Sequence, residues 1–448
     1  MSGGDDRRGG SAEGGPVGEI ALPGLFILAA LLLVLASKFW LGIGLTVVGV
    51  LTGLIFTDVP VWDIVTRLQF SESVSHTLLA IPMFVFMGQA LTKSGVVERL
   101  FTGLTPWLAR FPGKLLQSNV LACTMISATT GSTVATCATV GSTAVPELRR
   151  RGYAPGPVVG SIGGASLGML IPPSLYFILF GLMTGTSISR LYIAGLLPAL
   201  LIQLLFMTFI GSIALARPGL VPAEREPVTP RALLASIPSM GPVVLLAAAV
   251  LGSIYFGIAT VTEAAAVGVI GALALMVAFR TFTISALNEA LRETIRITGM
   301  IMLVFMGATV IANFIGYLQI PAHLATAIEA ADLAPVVVLA AIVVLYLFLG
   351  TFLEGLSMML LTLPIVFPIV TNLGYDPIWF AVVLAILIEI SQLTPPLGFN
   401  LYVLEGATGL PIETVMRWQV PFVGLMLLAI VILFVFPQIA TWLPEVMR

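Results

Sequence analysis

Read along its length, the chain is a series of apolar runs separated by short stretches that carry the charges. A helix needs about 20 mainly apolar residues to cross a bilayer core. Runs of that kind fall at 20–37, 40–57, 79–92, 156–183, 190–214, 239–258, 262–279, 298–317, 377–404 and 418–440. Two longer stretches, 115–147 and 336–370, have polar or glycine-rich interruptions near their middles. They are long for one span and short for two spans and a turn, so the pattern predicts re-entrant hairpins. Segments 58–78 and 281–297 carry charges at helical spacing. They read as amphipathic helices along the interface, with ordinary loops as the alternative. Residues 1–19 are polar and glycine-rich and read as a disordered tail without the apolar core of a signal peptide.

Composition supports lipid as the solvent. Of the 448 residues, 58% are hydrophobic and 9% charged, against roughly 25% charged in soluble domains. A net charge of −2 excludes a nucleic-acid binder that works by phosphate neutralisation. Two cysteines and two histidines exclude a disulfide scaffold and a Cys/His zinc cluster. A membrane-embedded enzyme would need a nucleophile–base pair or metal cluster that this inventory does not offer.

The chain repeats itself. VGV at 48–50 recurs at 267–269, and VFMG at 85–88 recurs at 304–307. Pro146, Gly152, Tyr153 and Pro155 recur as Pro368, Gly374, Tyr375 and Pro377. Pro172-Pro173 with Pro198 recurs as Pro395-Pro396 with Pro421. The offsets, 219, 219, 222 and 223, drift slowly and in order, which predicts two related halves, 20–214 and 239–440, joined by a polar cytoplasmic linker, 215–238. Charge then orients them, because Lys and Arg stay in cytoplasmic loops. Arg149-Arg150-Arg151 is basic and its equivalent, Thr371-Asn372-Leu373, is not; no Lys or Arg occurs between Arg296 and Arg417. The halves are therefore read as inverted, with the first hairpin entering from the cytoplasm and the second from the other face. Ten crossings and two hairpins put both termini outside. True pairs of spans in place of the hairpins would leave the same loops on the same sides.

Non-helical backbone at membrane depth is tolerated where it is buried in protein or lines a wet cavity. Four motifs demand it: TTGSTVAT (129–136) and GTFLEGLS (350–357) at the hairpin tips, and GMLIPPS (168–174) and SQLTPPLGFN (391–400) in the spans that follow. A double proline removes backbone donors and leaves carbonyls of the preceding turn unpaired. Such carbonyls beside Ser and Thr oxygens suit a small cation, and the N–H groups of the following half-helix suit a carboxylate. Each Pro-Pro alone would read as a kink; two at matched positions, each after a polar hairpin tip, read as a transporter site. Among carboxylates within the apolar runs or near their ends, Glu263, Glu354, Glu389 and Glu405, of which Glu263 and Glu405 lie near span ends, Glu354 at the second tip is the strongest functional candidate. Glu389 reads equally as a structural acid. Thr136, Ser174, Glu354, Ser357 and Asn400 are the candidate substrate contacts. Cys123 and Cys137 beside the first tip read as small packing residues, and His76 and His323 as interfacial.

At these residues the chain resembles the large membrane subunit of TRAP (tripartite ATP-independent periplasmic) transporters, the DctM-like family. IPMFVFMG (81–88), GSTVAT followed by Pro146, IPPS (171–174), ATVTEAAAVGV (259–269) and TPPLGFNLYV (394–403) carry the resemblance. It implies an all-α elevator-type secondary transporter in the bacterial inner membrane, importing organic acids with sodium. It also implies a small four-helix membrane partner and a periplasmic substrate-binding protein. Carried over by motif, one sodium site would use Thr130, Ser132 and Thr133 with the backbone of Gly168, Ile171 and Pro173. The other would use Gly350, Ser391, Thr394 and Leu397. The repeat pairs Gly168 with Ser391 and Ile171 with Thr394. Many relatives have Gly where this chain has Ser391, and sialic-acid types often have Asp where it has Thr136. A stand-alone sodium-coupled carboxylate carrier with related hairpins, needing no binding protein, is the competing reading. Substrate identity is not legible in the chain.

Overall fold

The computed structural model describes residues 16–37, 39–130, 132–222, 229–395 and 398–447. Within them the chain is helical throughout. Gly131, Pro396, Leu397 and most of the anticipated tail lie outside the described residues, as do linker residues 223–228.

The helices run in the order α1 (Pro16–Ala36), α2 (Leu41–Phe56), α3 (Val61–Ser73), α4 (Ala80–Lys93) and α5 (Val96–Leu108). Next come the arms α6 (Leu115–Thr130) and α7 (Thr133–Arg150), the broken pair α8 (Pro155–Gly163) and α9 (Leu175–Thr184), then α10 (Ile188–Ala194) and α11 (Leu196–Ala216). After the linker come α12 (Pro230–Tyr255), α13 (Val261–Ala278), α14 (Ile284–Tyr317) and α15 (Ile320–Ala330). Arms α16 (Pro335–Leu349) and α17 (Gly355–Asn372), the broken pair α18 (Pro377–Gln392) and α19 (Phe399–Thr408), then α20 (Ile412–Val435) and α21 (Gln438–Val446) complete it.

Among the described residues six segments are individually long and apolar enough to cross a membrane, and the pair Val61–Ser73 with His76–Lys93, bent by 52°, adds a seventh where it counts as one span. This is fewer than the ten runs in the sequence. The runs at 156–183 and 377–404 are cut by their breaks into helices of 9, 10, 16 and 10 residues. The first two runs give apolar helices of the shorter class, Leu22–Ala36 and Leu41–Phe56. One of the six is the hairpin arm Gly355–Asn372.

Three local expectations need correction. Segment 281–297 is not a separate interfacial helix: it continues into 298–317 as the 34-residue α14, about 51 Å long. Thr283 caps its start by accepting the Ala286 N–H, and no proline interrupts it. Helices α5 and α15, which precede the two hairpins, were not marked by the apolar pattern because they are short and of mixed polarity. The last run is divided at Phe436-Pro437, where α20 stops and α21 starts.

Burial separates core from periphery. Every residue of α18 from Ile378 to Gln392 is buried, and so is the whole stretch from Gly156 to Gly181. An all-round apolar helix is stable in water or lipid only when enclosed or lipid-facing; these two are enclosed. By contrast α12 has only 17% of its apolar window buried, with Leu234 and Leu245 exposed. The first break with its flanking helices and α18 thus lie at the core of the molecule.

Candidate ion and substrate site

The first hairpin tip is built by helix capping. Ser132 is the N-cap of α7, and its side chain accepts the Ala135 N–H at 3.3 Å. One turn on, the buried Thr136 hydroxyl donates to the Ser132 carbonyl at 2.8 Å and accepts from Ser127 Oγ at 3.1 Å. Thr133 is buried beside it. The first break lies directly against this tip. A Cβ on Gly168 would stand 3.1 Å from Ser132 C and Thr133 N and 3.2 Å from Ser132 N. A side chain there would press on backbone, so the close approach favours glycine. The break is closed on itself by Ser174, whose hydroxyl donates to the Met169 carbonyl at 2.6 Å. Ile171 and Pro173 are buried in the same loop, and the Pro172–Pro173 peptide is cis.

The second tip follows the same logic with different residues. Glu354 is the N-cap of α17 and its carboxylate accepts the Ser357 N–H at 3.1 Å. Gly350 ends α16 and its Cα faces the Ser391 side chain so closely that a Cβ would clash with that of Ser391. The Ser391 hydroxyl donates to the Ile388 carbonyl at 2.6 Å, and Thr394 to the Ile390 carbonyl at 2.7 Å. A hydroxyl whose proton is committed to a helix carbonyl keeps its oxygen lone pairs for another partner. That is the state in which Ser and Thr ligate a hard cation. Gly398 then turns the chain tightly, its N–H on the Thr394 carbonyl at 3.1 Å.

The structure therefore brings Ser132 and Thr133 to Gly168, and Gly350 to Ser391 with Thr394 one turn away. Ser174 and Thr136 belong to the first assembly, Glu354, Ser357 and Asn400 to the second. Leu397 and the Thr130 side chain lie outside what is described.

Two residues join the assemblies. Glu389, buried in α18, accepts the Met169 N–H of the first break at 2.8 Å across 220 residues of sequence. Gln392, at the end of α18, was not singled out in the sequence. Its amide nitrogen stands 3.0 Å from where a Cβ on Gly355 would lie, and the Met169 methyl 2.9 Å from the same point. Second tip, first break and second break converge there. A lone Gln in an apolar run gives no periodic signal; only its burial reveals it.

The remaining candidates have local roles. Glu263 forms a capping box with Thr260 at the start of α13. Cys123 and Cys137 are buried free thiols, Cys137 lying 3.1 Å from Ser166 Oγ. Among the described residues no cluster of His, Cys, Asp or Glu is arranged to hold a metal.

Comparison with known proteins shows the family. Residues 26–439 match the family model "Tripartite ATP-independent periplasmic transporter, DctM component". The chain is 34% identical over 399 residues to the C4-dicarboxylate TRAP transporter large permease protein DctM of Pseudomonas aeruginosa, covering 89% of this chain and 92% of that one. It is 32% identical to the sialic acid TRAP transporter large permease protein SiaM of Vibrio cholerae, covering 83% and 87%. Its fold is similar to that of the Alcanivorax borkumensis YdaH transporter, with a TM-score of 0.55 at 16% identity, over 83% of this chain and 88% of that one.

Proposed function

Since the chain belongs to the DctM component family of tripartite ATP-independent periplasmic transporters, and so is a membrane-embedded large permease subunit and not an enzyme, we propose that it imports a small organic acid in symport with sodium. The observation that carries this reading is the pairing of each hairpin tip with a helix break through a glycine contact, Gly168 on Ser132–Thr133 and Gly350 on Ser391. One cation is held at each pairing. Ser132, Thr133 and the carbonyls around Gly168, Ile171 and Pro173 serve the first, with Thr130. Gly350, Ser391 and Thr394 serve the second, with Leu397. The relatives' names, C4-dicarboxylate and sialic acid, support a carboxylate as the cargo. No Lys or Arg occurs between Arg296 and Arg417, so the carboxylate rests on half-helix N-termini and the bound sodium.

The halves act as inverted repeats. Arms α7 and α17 are both 18 residues long, and the half-helices α9 and α19 both 10, which supports that reading alongside the sequence matches. Hairpins and broken helices move together as an elevator against the outer helices, in a bacterial inner membrane with both termini periplasmic. A small four-helix membrane subunit and a periplasmic binding protein complete the transporter.

Vesicles containing this chain, its small partner and a loaded binding protein take up substrate when sodium is higher outside. Omitting the binding protein or the small subunit slows uptake sharply at micromolar substrate. Uptake that follows a proton gradient and ignores sodium would refute the coupling. Rapid sodium-driven uptake by the chain alone would favour the stand-alone carrier.

A further inference from the structure

Gln392 and Asn400 frame the second break, one at the end of α18 and the other in the first turn of α19. They are 2% and 1% exposed. Neither the oxygen nor the nitrogen of either amide makes a hydrogen bond among the described residues. Elsewhere in both breaks the hydroxyls of Ser166, Ser174, Ser391 and Thr394 are all bonded. Two orphaned amides flanking one six-residue break are therefore conspicuous, since leaving a buried polar group unpaired is destabilising.

The repeat sharpens this. At the 223-residue offset of the Pro-Pro pairs, Gln392 corresponds to Met169 and Asn400 to Phe177, both buried apolar residues. Apolar side chains satisfy the same places in the first break, so packing does not explain the amides. A bound cation would use the two carbonyl oxygens and leave both amide nitrogens without acceptors. A plain carboxylate would use the nitrogens and leave both oxygens without donors. A ligand that carries acceptors and a donor on neighbouring atoms satisfies both nitrogens and one of the oxygens, one atom more than a plain carboxylate does.

We propose that Gln392, with Asn400, forms a neutral recognition pair selecting carboxylates that bear a neighbouring hydroxyl or N–H donor over the matching acids that lack one. The carboxylate takes the amide N–H groups at the N-terminus of α19, and the ligand's donor is received by an amide oxygen. Gln392 reaches the second hairpin tip beside Gly355, so ligand binding there also fixes the tip. This specificity rests on the organic-acid reading given above.

The test is direct binding to the purified chain with its small membrane partner, in saturating sodium and without the binding protein, whose own selectivity would mask the effect. The probes are malate against succinate and lactate against propionate, each pair differing by one hydroxyl. In at least one pair the hydroxy acid binds about tenfold or more tightly, one net hydrogen bond's worth. Gln392→Leu abolishes the preference and keeps residual binding of the deoxy acid. It also raises the melting temperature of the ligand-free protein, because an orphaned amide is removed; a purely structural glutamine would lower it. Equal affinities within both pairs in the unmodified protein overturn the inference and leave sodium-coupled acid transport standing, and this arm needs no variant to fold. A preference that survives Gln392→Leu overturns the assignment to Gln392. Absence of sodium-dependent binding by any probe overturns the organic-acid reading and this inference together.

Discussion

In the first break, Gly164–Ser174, both serine hydroxyls are bonded, the loop is closed by Ser174 on the Met169 carbonyl, and Met169 itself is anchored by Glu389. Around the second, from Ser391 to Asn400, the Ser391 and Thr394 hydroxyls are bonded but the two buried amides of Gln392 and Asn400 are not. The difference is one of division of labour: the first break is held in place by the rest of the molecule, and the second keeps hydrogen-bonding capacity in reserve. At the 223-residue offset Met169 stands opposite Gln392 and Phe177 opposite Asn400, and it is at these positions that the two breaks differ.

The largest effect lies at the link between them. Glu389→Ala removes the acceptor of the Met169 N–H and leaves that donor buried, at about 1–3 kcal/mol. A clear fall in melting temperature is expected, with Glu389→Gln, which keeps an acceptor oxygen, falling much less. Equal stability of all three proteins would mean that the first break does not depend on the second half for its anchor.

Next comes the glycine contact. Gly350→Ala places a methyl on the Ser391 side chain, an overpacking worth about 1–3 kcal/mol. Adding Ser391→Gly opens that space, so the double variant recovers most of the loss; thermal unfolding of the four proteins forms the cycle. Simple addition of the two effects would show that tip and break do not meet as described.

The smallest effect is at one ligand. Thr394→Ala removes one neutral oxygen from the second pairing, about 1 kcal/mol or roughly fivefold in apparent sodium affinity. Sodium titration of uptake reads it, and an unchanged half-saturation would remove Thr394 from the ion site.

How much of this was legible in the chain follows from the range of the interactions. Hairpin tips and breaks announced themselves through Gly131, Gly350 and the Pro-Pro pairs, because such residues disturb a helix locally. The union of α14 was not, since Arg292, Glu293 and Arg296 looked like an interfacial boundary although nothing there breaks a helix. Glu389 was noticed as a buried acid, but its partner lies 220 residues away and no local pattern identifies it. Gln392 gives no signal in the sequence because its meaning depends on what fails to bond to it, which is a property of packing alone.

The comparison presupposes that two halves inserted in opposite senses bring the two breaks together. Single cysteines at Arg150 and Asn372, in a background without Cys123 and Cys137, read this out through an impermeant thiol reagent applied to intact cells and to inverted vesicles. The account predicts that the residue-150 cysteine labels from the cytoplasmic face and the residue-372 cysteine from the periplasmic face. Labelling of both from the same face would contradict it.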